Sequence, residues 1–451
     1  MNKKVKHLIL ISLSSLRTYF TYDDDLMRRI MFLILLMMPS LILIGRSPLD
    51  IAATIIAVCF LIYSVYWKDF NWLKSGWVIA AFLFWFFTVL NSFQAFNIEL
   101  ALERSVPNIR FPLFAIAISY WVLQKKTDLR LLIYVFVATL IFSVVDGLFE
   151  YLFGFDFAGN EKRPGRLSGP FQISTLGIYL TKLGIPMMVA LLAFLSYDQS
   201  FYNRSPSNRS ITLPLTIGFS ILMLITILLS GERMALLLML FALVLCSIML
   251  RKFRVYILLC LTLLVCGFGL TISLDKEMQD RLYNNTIQQI KENPKNSKAY
   301  LAQFDAALEI IKDHPILGVG SNNYRLVCKL PKYDPNAVDD QNSRCLIHPH
   351  QIYLELWVNN GLIGLLLFCT IIFFWCKMIY KNWYEICKNP LLFSGCLGAI
   401  LFLWPLSAGM SIFSNFNGIW FWFMMGFMLA CFQILKGVPY QKHYQTGSLN
   451  P

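Results

Sequence analysis

Long apolar runs alternate with short polar breaks along most of this chain. Twelve runs are long enough to read as membrane-crossing helices: about 30–45, 49–66, 75–93, 108–123, 130–153, 171–196, 211–230, 232–250, 254–273, 351–377, 391–408 and 414–435. The first is short and holds Pro39. Only one polar segment is long, 274–350, too long for a mere connection. Within it, Ser297–Asp313 spaces Leu301, Phe304, Leu308 and Ile311 along one helical face, with Ser297 as N-cap and His314-Pro315 as the stop. The turn LGVGSNNY follows, and 329–347 reads as irregular. The pattern predicts an all-α polytopic membrane protein of about 12 transmembrane helices with one large, partly helical loop. The organisation is then a tail over 1–29, nine helices over 30–273, the loop over 274–350, three helices over 351–435 and a tail over 436–451.

Charge orients this array. With the N-terminus inside, the inside connections carry Lys68 and Lys74; Lys125, Lys126 and Arg130; Arg204 and Arg209; Arg251, Lys252 and Arg254; Lys377, Lys381 and Lys388; and Lys436 and Lys442. Every inside connection is basic, as the positive-inside rule requires, and the large loop falls outside. The net charge of +13 is accounted for by anionic lipid headgroups, without nucleic acid. The partner implied is the bilayer itself. Lys3, Lys4 and Lys6 precede only a short apolar run with no small-residue cleavage site, which reads as a cytoplasmic tail. Of eleven cysteines, nine lie in or beside apolar runs and none forms a CxxC pair, which argues against zinc or redox chemistry. Cys328 and Cys345 share the large loop, where an oxidising compartment would allow a disulfide.

Three outside places hold charges that lipid would not tolerate idly. One is EKRPGRLSGPF at Glu161–Phe171, with Lys162, Arg163 and Arg166. The second is Ser230–Arg233, where two apolar runs meet with almost no loop and hold Glu232 and Arg233 at the interface. The third is HPHQIYLELWVNNGLIG at His348–Gly364, the polar-to-apolar boundary, with two of the five histidines. Arginine is suited to phosphate because its planar fork donates two charge-assisted hydrogen bonds, and histidine can accept a proton near neutral pH. Structural readings stand beside these. Lys162 and Arg163 can be solvated loop charges, Arg233 can pair with Glu232, and His348 and His314 can simply end elements before a proline. Gly361 and Gly364 permit close approach of another helix or a lipid-linked substrate. Asp339-Asp340 is the one adjacent acidic pair outside, too few ligands for a metal site. Asp146, Glu150 and Lys182 lie inside apolar runs, which keeps a transporter open.

These residues resemble the O-antigen ligases, within the larger group that includes O-antigen polymerases. The ligase pattern of His, Asn/Ser/Gln, nine residues, Gly, two residues, then Gly is matched by His350, Gln351, Gly361 and Gly364. The Arg-x3-Leu pattern is matched by Arg233 and Leu237, and the turn HPILGVGSNNY and the run GRLSGPF also look like the group's. Asn359 stands where the group often has glutamate. The resemblance spans roughly residues 160–370 and implies a metal-independent, cofactor-free, inverting glycosyltransferase. Its donor would be an undecaprenyl-diphosphate-linked glycan and its acceptor lipid A-core. Arg166 and Arg233 would hold the diphosphate, with Arg163 as an alternative to Arg166, and His350 would activate the acceptor hydroxyl. Glu232, His348, Gln351, Gly361 and Gly364 would line the substrate. A polymerase of the same group, or a glycan transporter, are the other readings.

Overall fold

The computed structural model describes residues 26–171, 174–197, 206–291, 300–334, 344–406, 409 and 411–436. The chain folds into α1 (Leu26–Ile44), α2 (Arg46–Tyr66), α3 (Gly76–Ser92), α4 (Ile98–Ser105), α5 (Arg110–Ala117, extended by a π turn at Ile118–Val122) and α6 (Lys126–Phe153). Then come α7 (Leu176–Ser196), α8 (Pro206–Leu229), α9 (Arg233–Met249), α10 (Arg254–Leu274), a helical run α11 (276–291), α12 (Tyr300–Asp313), α13 (Ile352–Lys381), α14 (Pro390–Leu403) and α15 (Asn415–Lys436). Each of the twelve expected apolar runs contains a helix, although the run 171–196 is helical only from Leu176 and the run 391–408 only to Leu403. Among the described residues, eight helices are both long and apolar enough to cross a membrane: α1, α2, α6, α7, α8, α10, α13 and α15. α3, α9 and α14 are shorter apolar helices, and Arg110–Val122 is shorter still in its regular part.

α15 is the axis of the array. Its side chains are buried almost all round, and its aromatic rings reach three neighbours. Trp420 meets Phe136 of α6 edge-on at 5.5 Å, and Phe421 meets Trp375 of α13 at 6.0 Å and Phe402 of α14 at 6.1 Å. Offset and edge-on ring pairs of this kind add to packing where lipid offers no hydrophobic drive between helices. α10 is the opposite: Leu264 is its one buried residue.

Contacts gather the connections at two ends. At one, Arg28 of α1 binds Asp128 at 3.2 Å and the Val122 carbonyl at 3.0 Å, and Lys436 pairs with Glu385 at 3.6 Å. Arg28 was expected in a tail before the first helix. It lies inside α1 and is buried, because Asp128 neutralises it. At the other end, Arg110 pairs with Asp50 at 3.0 Å, the Asn97 N–H donates to Asn323 Oδ1 at 2.7 Å, and the Gly409 N–H donates to the His350 carbonyl at 2.8 Å.

Asp146 and Glu150, the acids that kept a transporter open, also serve this second end. Asp146 accepts the Phe157 N–H at 2.7 Å, and Glu150 accepts the Ser168 and Gly169 N–H groups. They fold the 154–171 connection onto α6, which explains acids in an apolar helix without a transport path.

α13 is not the continuous helix its sequence predicts. At Gly361 the backbone leaves the helix (φ 64°, ψ −173°), and the turn 315–320 fills the break. The Val319 and Gly320 N–H groups donate to the Val358 and Asn359 carbonyls at 2.9 and 2.8 Å. In return, the Leu362 and Ile363 N–H groups donate to the Pro315 and Ile316 carbonyls at 2.9 and 3.4 Å. The groups that a broken helix would leave bare are thus paired, as membrane depth demands. Only glycine fits. A Cβ on Gly361 would lie 2.0 Å from the Ile316 carbonyl oxygen, and one on Gly318 would lie 2.6 Å from the Gly361 nitrogen.

The rest of the loop packs over this joint. α12 buries Ala302, Ala306, Ala307 and Ile310, and leaves Leu301 and Leu308 exposed. Of the expected face Leu301, Phe304, Leu308 and Ile311, Ile311 is buried and Phe304 half-buried while the two leucines are exposed; small alanines share the packed face because the helix lies close against α13. Its expected N-cap, Ser297, and the Asp339-Asp340 pair lie outside the described residues. Cys328 and Cys345 form a disulfide, and Arg344, buried, binds Asp305 at 2.7 Å, Glu309 and the Tyr333 carbonyl.

Candidate functional site

Two polar clusters form in the connections between helices, one where 163–167 meets 230–232 and one where 348–351 meets Pro405 and Gly409. The first is an arginine turn. α8 ends at Leu229 and α9 begins at Arg233, so the chain reverses over three residues. Gly231 makes this possible: its φ is +65°, and a Cβ there would lie 1.9 Å from the Gly165 carbonyl oxygen. The GRLSGP run therefore lies directly on the SGE turn, and the Leu167 N–H donates to the Ser230 carbonyl at 3.3 Å.

Glu232 is buried at the centre. Its Oε1 accepts the Gly177 N–H at 2.7 Å, and the Arg166 and Arg281 guanidinium groups attract it. Arg281, on α11, also donates through Nε to the Gly231 carbonyl at 2.9 Å. Arg166 is half-buried and its Nε, shielded from solvent, has no hydrogen-bond partner. Arg233 is half-buried at the first position of α9, where the positive end of the helix dipole adds to its charge. Arg163 is exposed and touches Arg166 through the backbone, its carbonyl accepting the Arg166 N–H at 3.0 Å. Lys162 is held by Glu277 at 3.2 Å, whose carboxyl the Gly165 N–H and Lys162 hold below its ordinary range. The cluster thus gathers guanidinium groups from three distant stretches around one buried carboxylate. Such an arrangement attracts a multivalent oxyanion.

The second cluster is a histidine turn. His350 adopts a left-handed backbone (φ 52°), unusual for a residue with a Cβ. That conformation folds its ring beside His348, with centroids 4.2 Å apart. The His348 Nε2 lies 3.3 Å from the Gly409 carbonyl oxygen. Gln351 caps α13 by accepting the Leu354 N–H at 2.6 Å and donates its amide to the Pro405 carbonyl at 2.9 Å. Burial pushes both imidazoles down to about 4, with His348 adding to the reluctance of His350 to charge and Arg325 to that of His348. At neutral pH both rings are uncharged, and a neutral imidazole can accept a proton.

Behind the histidines lies a network that the sequence reading missed. Glu355 is buried and accepts the Ser411 hydroxyl, with Arg104 and Arg325 attracting it from opposite connections. Burial lowers the pKa of both arginines, and Arg104 also binds Asn415 at 3.3 Å. Asn359 accepts the Tyr324 N–H at 3.2 Å, which is an anchoring role for the loop.

The arrangement joins Arg166 with Glu232 and, through the chain, Arg233. It joins His348, His350 and Gln351 separately, on the connection after α14. Gly361 and Gly364 are filled by protein: Gly361 by the turn 315–320, and Gly364 by Asn360 and Phe87 of α3. Arg281 could have been flagged, with Lys276, as one of two basic residues at the start of the large loop. Glu355 follows the expected base by five residues, but inside an apolar helix it gave no separate signal.

In comparisons with known proteins, a family model described as O-Antigen ligase matches residues 218–369. That match contains Arg233, Arg281, the turn 315–320, both histidines and Gly361. A search of curated proteins finds no match.

Proposed function

From membership of the O-antigen ligase family, which residues 218–369 carry, we propose that this protein moves O-antigen glycan from undecaprenyl diphosphate to a lipid A-core hydroxyl at the periplasmic face of the inner membrane. The observation that carries the reading is the convergence of Arg166, Glu232 and Arg281 on the start of α9, at the end of the array that also holds two uncharged histidines. In this reading Arg166 and Arg233 bind the donor diphosphate. The acceptor oxygen attacks the anomeric carbon as the bond from that carbon to the phosphate oxygen breaks. The hydroxyl proton passes to a ring nitrogen of His350, and undecaprenyl diphosphate leaves with both bonding electrons. A single displacement inverts the anomeric centre. The arginines stabilise the charge that develops on the leaving diphosphate, which is where fixed positive groups contribute most. Arg281, with Glu232, sets the positions of the arginines.

The test is ligation by the purified protein with lipid-linked glycan and lipid A-core. Wild type should yield glycosylated lipid A-core, and His350→Ala should not. Longer lipid-linked glycan with no lipid A-core product would assign a polymerase instead. Full activity of His350→Ala would remove the histidine from the reaction.

A further inference from the structure

The helices α7, α9 and α14 pack on one another, and among them lies a lysine that the reading above does not use. Lys182 is 4% exposed. Among the described residues no carboxylate or carbonyl meets its ammonium; its one contact is the Phe402 ring of α14, 4.9 Å from Nζ to centroid. A buried ammonium with only a ring face for company is poorly compensated, because a ring quadrupole replaces little of the lost hydration.

Its position is set by the backbone. Pro186 has no N–H to offer the Lys182 carbonyl, four residues earlier. The helix widens there into a π turn over Leu180–Gly184, with the Ile185 N–H reaching back to the Leu180 carbonyl. Wide turns of this kind re-aim a side chain and recur at functional sites. On one side, the same helix is tied to the arginine turn: the Gly177 N–H binds Glu232, and the Thr181 hydroxyl lies 3.4 Å from the Ala235 carbonyl oxygen. On the other side, Phe402 leads within three residues to Pro405, whose carbonyl takes the Gln351 amide next to His350.

Two more donors without acceptors accompany it. The Tyr179 hydroxyl, three residues before Lys182, is buried with no hydrogen-bond partner. So is the Trp404 indole N–H, two residues after Phe402, whose ring packs on Phe241 of α9 at 3.8 Å. Buried polar atoms are ordinarily paired, so unpartnered donors on α7 and just past the end of α14, together with the buried Lys182, point to a ligand that brings acceptors. Phosphate oxygens are such acceptors.

We propose that Lys182 is a third cation of the donor site, binding the lipid-proximal phosphate of the polyprenyl diphosphate from beneath, with Tyr179 and Trp404 donating beside it. This deepens the proposed function and rests on it. The lysine stem keeps to the apolar seam while its head meets the phosphate, so the donor's charge is held from the membrane side as well as from the arginine side.

The experiment measures binding of undecaprenyl diphosphate, the product left by any glycan donor, to the full chain in lipid nanodiscs. Wild type, Lys182→Met, Lys182→Gln, Lys182→Arg, Tyr179→Phe and Arg233→Ala are compared. Lys182→Met and Lys182→Gln should each weaken binding by about tenfold and raise the donor KM in step, leaving kcat within about threefold, while Lys182→Arg restores most of the affinity. Tyr179→Phe should weaken it less. A methionine fits the apolar seam, so its melting temperature should hold, and the glutamine variant guards against a misfolded one. If wild type and Arg233→Ala bind equally poorly, the proposed function fails. If wild type binds and Arg233→Ala does not, but both neutral variants at 182 bind like wild type, the third cation fails while the proposed function stands.

Discussion

The arginine turn and the histidine turn lie at the same end of the molecule and treat charge in opposite ways. The arginine turn buries one carboxylate, which burial pushes up to about 7 against the pull of Arg166 and Arg281, so the charge it keeps and aims is that of its guanidinium groups. The histidine turn buries its rings, and burial removes their charge. One arrangement suits holding an anion that is present throughout a reaction. The other suits a group that must be empty of a proton when the reaction starts. In the proposed reaction, the two turns divide the work of a group transfer by how each is desolvated.

Substitutions can break this division. His350→Ala should lower turnover by roughly 10²–10⁴-fold while leaving the donor KM nearly unchanged, as expected for loss of a general base. Steady-state kinetics with varied donor would show it, and a raised donor KM would place His350 in binding instead. Arg233→Ala should cost about 10²–10³-fold in kcat/KM for the donor, with Arg166→Ala somewhat less, because Arg166 is also engaged with Glu232. Equal effects on donor and acceptor would erase the contrast between the two turns.

Gly361→Ala should act on both turns through the fold. Its positive φ and the Ile316 oxygen 2.0 Å from the added carbon leave no room without moving the loop turn. A loss of stability of about 1–3 kcal/mol is expected, read as a lower melting temperature in detergent or nanodiscs. The smallest effect concerns pH. The folded-state histidines titrate near 4, below the ordinary 6.5, so on acidification the unfolded chain takes up protons first. Stability should be full above 6.5 and fall progressively towards about 4. A double substitution, His348→Asn with His350→Asn, should flatten that slope, and an unchanged slope would assign the sensitivity to other groups.

Much of this was legible in the sequence. The apolar runs predicted where the helices lie, because length and hydropathy determine helices in lipid. The short SGER junction and the GRLSGP run each carried a visible oddity, charge beside apolar sequence, and they meet in space. The misreadings have physical causes. Arg28 sits in a charge run that resembles a tail, and only its distant partner Asp128 makes it a helix residue. On α12 the leucines drew the face, whereas alanines pack there because the neighbouring helix is close. Glu150 and Asp146 resembled a polar pathway, but their partners are loop N–H groups from as far as 19 residues along the chain. Gly361 was read as an approach surface for a helix or lipid, while what approaches is the chain's own turn. In each case the missing information was a long-range partner, which periodicity does not encode.

The shared joint between the turn 315–320 and the break in α13 also bears on how the protein is made. The helix cannot complete its own backbone pairing: four of its peptide groups are paired by a segment that precedes it in the chain. An α13 formed before that segment docked would hold bare peptide groups, each costing several kcal/mol. Docking of the turn 315–320 is therefore a precondition for completing the helix that follows it, and assembly acquires an order.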